Sequence, residues 1–105
     1  MSSVNTYREL KVWQKSMKFV INFYKLTQDF PDIDKFGLTS QIRRSAVSIP
    51  SNIAQGFVRR FPKESIRFLR ISISSLFELQ TQLEICKNIN LTGPNIFDHF
   101  YEDSR

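Results

Sequence analysis

Residues 36–57, in the middle of the chain, read FGLTSQIRRSAVSIPSNIAQGF. The apolar side chains of this stretch recur in steps of three and four residues, which places them on one helix face. They are Leu38, Ile42, Ala46, Ile49, Ile53 and Phe57. Thr39 or Ser40 can cap the start of this helix. Pro50 removes one backbone donor; two shorter helices are the alternative, but the unbroken spacing favours one kinked helix over residues 39–59.

Similar patterns lie on both sides of this stretch. Residues 8–29 predict a first helix whose core face holds Leu10, Trp13, Met17, Val20, Ile21 and Tyr24. Phe30-Pro31 ends it, because a residue before proline avoids helical geometry. Residues 62–89 predict a third helix with Pro62 at its first position. Its core face holds Ile66, Leu69, Ile73, Leu76, Leu79 and Leu83. Small residues beside that face allow close approach of a neighbouring helix, namely Ser72, Ser74 and Ser75.

The pattern weakens after the third helix. Gly93-Pro94 is a strong helix breaker, and residues 95–102 can form only a short helix, which would pack its aromatic side chains on the bundle. We therefore predict an all-α protein with a single domain over residues 1–105. Its architecture is an up-down helical bundle of the four-helix-bundle type, with a short or degenerate fourth helix.

The amino-acid composition limits the class of protein and the cellular compartment. The chain is 41% hydrophobic, which argues against disorder, and carries a formal charge of +5. Its N-terminus has no apolar signal-peptide core, and no apolar run is long enough to span a membrane. The expectation is a cytoplasmic protein with no membrane partner. Cys86 is the single cysteine, which excludes an intrachain disulfide, and is best interpreted as a small core residue.

Signals for catalysis are nearly absent. His99 is the only histidine and lies outside any recognisable nucleophile or metal motif. Glu78 and Glu84 diverge around the third helix, so they do not form a facing carboxylate pair. Some helical RNA nucleases use an Arg-x4-His motif, which does not occur here. We predict a protein that is not an enzyme and needs no cofactor or metal.

The excess of positive charge lies on helix faces. One flank of the first helix, here called the lysine flank, holds Arg8, Lys11, Lys15, Lys18 and Lys25. Such one-signed spacing favours an anionic partner, although an inert basic surface is the alternative. Further clusters are Arg43-Arg44 and a group following Arg59-Arg60. The predicted nucleic-acid-binding residues are Lys11, Lys15, Lys18, Arg43, Arg44, Arg59, Arg60, Lys63, Arg67 and Arg70.

A second apolar strip runs along the first helix beside the lysine flank. Its members are Val12, Phe19, Phe23 and Leu26. A helix in a small bundle usually needs one apolar stripe, so the extra strip needs another partner. A fourth helix or the aromatic tail could cover it. We favour contact with another subunit, because exposed apolar patches mark interfaces.

Three stretches carry a family resemblance: ELKVWQK at residues 9–15, FGLTSQIRRSAVSIPSNIAQG at 36–56 and ELQTQLE at 78–84. Together they resemble the four helix bundle protein family, also called 23S rRNA-intervening-sequence protein, over roughly residues 8–90. The resemblance implies an up-down bundle, often a homopentamer, and some relatives are encoded within insertions in bacterial ribosomal RNA genes. A similar protein is the accessory variability determinant of diversity-generating retroelements, a basic pentamer that binds nucleic acid and a reverse transcriptase.

The chain departs from the family pattern in two places. Phe61-Pro62 stands where relatives usually have a polar capping residue and a lysine, and the fourth helix is shortened after Gly93-Pro94. Within the matching central stretch, the resemblance implies a structural role for Pro50, Ser51 and Asn52. Two hypotheses for function follow. The first is an oligomer that binds RNA or DNA, RNA being preferred, through its basic helix faces; the alternative is a structural or protein-interaction scaffold without nucleic-acid affinity.

Overall fold

A computed structural model of the chain describes residues 6–28 and 37–88. These ranges contain a 3₁₀ turn at Tyr7–Glu9 followed by α1 (Lys11–Leu26), α2 (Leu38–Phe57) and α3 (Pro62–Asn88). No strand occurs within them, so the all-α class is confirmed. The predicted short helix at 95–102 lies outside the described residues.

The first helix begins later than its apolar spacing predicts. Leu10 is extended, with φ −72° and ψ 125°, and separates the 3₁₀ turn from α1. The turn is held from both sides: Thr6 Oγ1 accepts the N–H of Arg8 at 3.2 Å, and the Gln14 amide donates to the Arg8 carbonyl at 2.8 Å. Local polar contacts therefore replace the first helical turn, as side-chain hydrogen bonds to the backbone often do.

The start of α2 is set by backbone conformation. Gly37 precedes the helix with φ 66°, a left-handed geometry that glycine adopts without steric cost. No side chain caps this end, so the prediction that Thr39 or Ser40 caps α2 is wrong. The helix then runs through Pro50 to Phe57, which confirms one helix over two.

The core is built mainly from the central helix and the facing halves of its neighbours. The predicted face of α2 is confirmed from Leu38 to Ile53, whereas Phe57 is partly exposed at the helix end. Around it pack Phe19, Val20, Phe23, Leu79, Leu83 and Cys86. Cys86 is thus a core residue, as predicted.

The burial of α1 corrects two predictions. Phe23 is 1% exposed and Phe19 is 7% exposed, so these rings belong to the chain's own core rather than to a subunit interface. Ile21 and Tyr24, predicted to be core residues, are exposed instead. The helix is rotated so that its two phenylalanine rings are buried, which removes their apolar area from water. Val12 is exposed as an interface residue would be, and the side chain of Leu26 lies outside the described part of the chain.

The N-terminal half of α3 is also turned away from the predicted face. Ile66, Leu69 and Ile73 are exposed, although Leu79 and Leu83 are buried as predicted. The physical reason is a close approach of α2. A Cβ added at Gly56 would lie 3.0 Å from the Ser65 carbonyl oxygen, so glycine allows the backbones to meet there.

Small polar residues fill this contact and form what we call the polar seam. Ser45 Oγ lies 2.8 Å from Glu78 Oε1 and 3.0 Å from Gln82 Oε1. Farther along are a Ser48–Ser75 hydroxyl pair at 2.8 Å and a 2.9 Å hydrogen bond from Ser72 to the Ile49 carbonyl. Asn52 donates to Ser48 O and Oγ. The predicted closeness of helices at Ser72 and Ser75 is confirmed, whereas Ser74 is exposed.

Helices α2 and α3 are antiparallel, because the seam pairs Ser45 with Gln82 at one end and Ile49 with Ser72 farther along. The 3₁₀ turn and α1 both contact α2, which also packs along α3. The turn between α2 and α3 therefore lies at one end of the molecule, and the start of α2 lies at the other.

Candidate nucleic-acid interface

Five predicted cations meet where α2 ends and α3 begins. This arginine corner consists of Arg59, Arg60, Lys63, Arg67 and Arg70. The last three follow steps of four and three along α3 and so share one helix face. All except the half-buried Arg59 are exposed.

The contacts of the corner are with neutral groups. Arg59 donates through Nη2 to Gln55 Oε1 at 2.6 Å, and its guanidinium carbon lies 4.4 Å from the Phe68 ring centroid. The guanidinium carbon of Arg67 is 5.9 Å from the same ring. Arg59 Nε is buried and finds no hydrogen-bond partner in the structure. The Arg59 side chain is therefore partly occupied by contacts within the chain, whereas the charged groups of the other four corner residues face solvent.

A shallow groove continues from the corner along α3. It is lined by Lys63, Ile66, Arg67, Arg70, Ile71, Ser74, Ser75 and Glu78. Basic side chains occupy its first half, and serines and the Glu78 carboxylate follow. Electrostatically, the end near the corner is the part suited to a phosphate group.

Arg43 does not belong to this surface. Its Nε and Nη2 donate to Thr27 Oγ1 at 3.0 and 2.7 Å, and its guanidinium carbon lies 4.5 Å from the Tyr24 ring centroid. Thr27 is buried and donates in turn to the Phe23 carbonyl at 2.8 Å. A cation at a helix C-terminus also opposes the partial negative charge there. Arg43 thus ties the end of α1 to α2, while its predicted contact with nucleic acid stays a prediction.

Arg44 is exposed but lies far from the corner. It lines a separate groove beside Thr39 and Ser40 at the start of α2. Fifteen residues separate it from Arg59, which corresponds to about 22 Å along the α2 axis. One phosphate group could not contact both sites.

The lysine flank forms a third surface. Lys11, Lys15 and Lys18 are exposed. They lie about 120° to 180° around α1 from Tyr24, the residue through which α1 meets Arg43 of α2. The predicted basic residues thus occupy three separate surfaces of one chain, and the arginine corner is the most concentrated of them.

Comparison with known proteins agrees with this fold. The family model for 23S rRNA-intervening sequence protein matches residues 8–105. The chain belongs to this family. Comparison with curated protein sequences gives no match. In this member of the family, the central stretch at 36–56 supplies the α2 side of the polar seam, including Ser45, Ser48 and Asn52.

The structure shows an exposed apolar row on α3 that the sequence analysis does not predict. The α3 apolar stripe consists of Ile66, Leu69, Ile73 and Phe77. Ile66, Ile73 and Phe77 lie within about 40° of one another on the helix, so the spacing was visible. The core face predicted for α3 contains three of these four residues, and Phe77 extends the same row on the outer side of the helix.

Metal sites and membrane spans are two further features that the described residues lack. Residues 6–28 and 37–88 contain no group of three or more His, Cys, Asp or Glu side chains placed to hold a metal ion. None of the helices in these ranges has the length and apolar character needed to cross a bilayer.

Proposed function

We propose that the protein is a non-enzymatic, cytoplasmic binding protein whose arginine corner contacts the phosphates of RNA. The observation that carries the proposal is the concentration of Arg60, Lys63, Arg67 and Arg70 as exposed cations at one end of the bundle. Arginine suits this role because its planar fork donates two hydrogen bonds to one phosphate. We take RNA as the polymer, since the family description refers to an intervening sequence of 23S rRNA.

The charge arrangement supports a salt-sensitive mode of binding. Cations that neutralise phosphates release condensed counterions, so affinity falls as salt rises. The neighbours of Arg59 and Arg67 are an amide and an aromatic ring. Contacts of this kind position the guanidinium groups without cancelling their charge.

We further propose that the protein is an up-down four-helix-type bundle that assembles with copies of itself. The α3 apolar stripe replaces Phe19 and Phe23 as the candidate contact surface. Ile73 and Phe77 are 53% and 61% exposed, which is unusual for large apolar side chains at successive turns of one helix. Assembly would repeat the arginine corner and raise the local positive potential. The family resemblance suggests five subunits.

The direct test compares two variants of equal charge by fluorescence anisotropy with a labelled RNA hairpin. The corner variant carries Arg60→Gln, Lys63→Gln, Arg67→Gln and Arg70→Gln. The control variant carries Lys15→Gln, Lys18→Gln, Lys25→Gln and Arg44→Gln. We expect the corner variant to bind at least about tenfold more weakly than wild type, since each lost phosphate contact weakens binding, and the control to stay close to wild type. Equal losses in both variants would reject the corner as the site.

The α3 apolar stripe also favours a second function, that of a protein-interaction scaffold. In that case the basic residues serve solubility, and the protein binds RNA no better than an unrelated protein of equal charge. The same titration decides between the two, because a scaffold shows no preference for the corner residues. A polar substitution in the stripe would then remove the protein's only activity.

A further inference from the structure

Nothing in the local structure around position 61 requires an aromatic side chain. Its carbonyl oxygen accepts the N–H groups of Glu64 and Ser65, both at 3.1 Å, and so begins α3 through the backbone alone. Side chains that cap helices carry an oxygen, which phenylalanine lacks. The ring is 59% exposed and lies outside the core cluster. Neither capping nor core packing explains it.

The surroundings of Phe61 are cationic. The guanidinium carbon of Arg60 lies 5.9 Å from the Phe61 ring centroid. Lys63 is exposed one residue after Pro62, and Arg67 is exposed one turn farther along α3. The ring is therefore presented to solvent among groups that attract phosphate.

Phe77 offers an internal comparison. It is 61% exposed, nearly the same as Phe61, but lies in the α3 apolar stripe with Ile73. Its setting fits an apolar protein surface, whereas the setting of Phe61 fits a ligand that carries both flat apolar faces and negative charge. Nucleic acid with unpaired bases has both properties, because its bases are free to stack on aromatic rings beside a basic path.

We propose that Phe61 stacks against an unpaired base while Arg60, Lys63 and Arg67 contact the adjoining phosphates. The inference rests on the proposed function and specifies its ligand as single-stranded or looped RNA. In a regular duplex the bases already stack on each other, so the ring can add little. Phe61 thus selects for unpaired RNA, and the cations supply the affinity common to both forms.

The experiment measures anisotropy with two labelled RNAs, an oligouridine of about twelve nucleotides and a duplex of the same length. Phe61→Leu keeps an apolar side chain and removes the aromatic face. We expect it to weaken binding to oligouridine by about tenfold, the order given by loss of one stacked base. Binding to the duplex should not change. Phe61→Trp should restore the lost affinity, and Ile85→Val, an exposed apolar change at the far end of α3, should behave as wild type.

The outcomes separate this inference from the proposed function. Wild-type protein that binds both RNAs in a salt-dependent way, with Phe61→Leu unchanged on oligouridine, would overturn the stacking role alone. An equal loss on both RNAs would also overturn it. No measurable binding of wild type to either RNA would reject the proposed function itself. Circular dichroism of each variant verifies that the exposed substitutions leave the helices intact.

Discussion

Arg43 joins two helices through one guanidinium group. It donates to Thr27 Oγ1 and lies over the Tyr24 ring, at the end of α1. We predict that Arg43→Ala lowers the free energy of unfolding by about 1–3 kcal/mol, because it leaves buried Thr27 without this charged partner. Urea unfolding measures the change. Arg44→Ala, the exposed neighbour, should stay within about 0.5 kcal/mol of wild type; equal effects of the two would contradict the distinction.

Gly56 makes a second prediction at the residue scale. A methyl group there would meet the Ser65 carbonyl oxygen at 3.0 Å and Phe68 Cβ at 3.3 Å, and a backbone atom cannot easily move aside. We expect Gly56→Ala to lower stability by about 1–3 kcal/mol through overpacking, despite alanine's higher helix propensity. Ser51→Ala, an exposed change on the same helix, should be neutral or slightly stabilising. A stabilised Gly56→Ala in thermal unfolding would show that α2 and α3 are farther apart.

Some residues of the candidate site can be predicted from the sequence, and others cannot. The cations of the arginine corner could be identified from composition and spacing alone. Arg43 could not be separated from Arg44, since only the tertiary contact with Thr27 distinguishes them. Phe61 could be placed at a helix boundary, but its exposure depends on how closely α2 and α3 meet.

At the scale of elements, apolar spacing predicts where each helix lies along the chain better than it predicts which helix face is buried. The predicted buried face of α2 is confirmed, because a single apolar row meets the core there. On α3 the face toward α2 is polar at Ser72 and Ser75, so hydrophobic periodicity includes the exposed Ile66 and Ile73 in the predicted core face. On α1 two apolar rows compete, and only packing against the other helices decides that Phe19 and Phe23 are buried.

The exposed side of α3 leads to a prediction about assembly. We expect the double variant Ile73→Ser, Phe77→Ser to dissociate the protein to monomers, because it removes apolar area from the proposed contact. Size exclusion with light scattering gives the mass, and circular dichroism should show unchanged helicity. Phe23→Ser is the contrasting variant and should unfold the protein, since that ring is buried. A double variant that keeps the wild-type mass would reject the stripe as the interface.

At the scale of the whole molecule, charge is divided among surfaces that one chain does not bring together. The arginine corner lies at the α2–α3 turn, Arg44 lies about 22 Å away along α2, and the lysine flank points away from α2. The electrostatic effect of the formal charge of +5 therefore depends on where the charges are concentrated more than on their total. Repetition of the corner in an assembly would produce the extended positive surface that a single chain lacks.

The salt dependence of RNA binding reports how many phosphates the arginine corner contacts. Four phosphate contacts at the exposed corner predict a slope of roughly −3 to −4 in a plot of log affinity against log salt concentration for a duplex RNA. The corner variant should lose most of that slope, while the control variant of equal charge, altered at Lys15, Lys18, Lys25 and Arg44, should retain it. A slope that is the same in wild type and corner variant would contradict the claim that the arginine corner binds RNA.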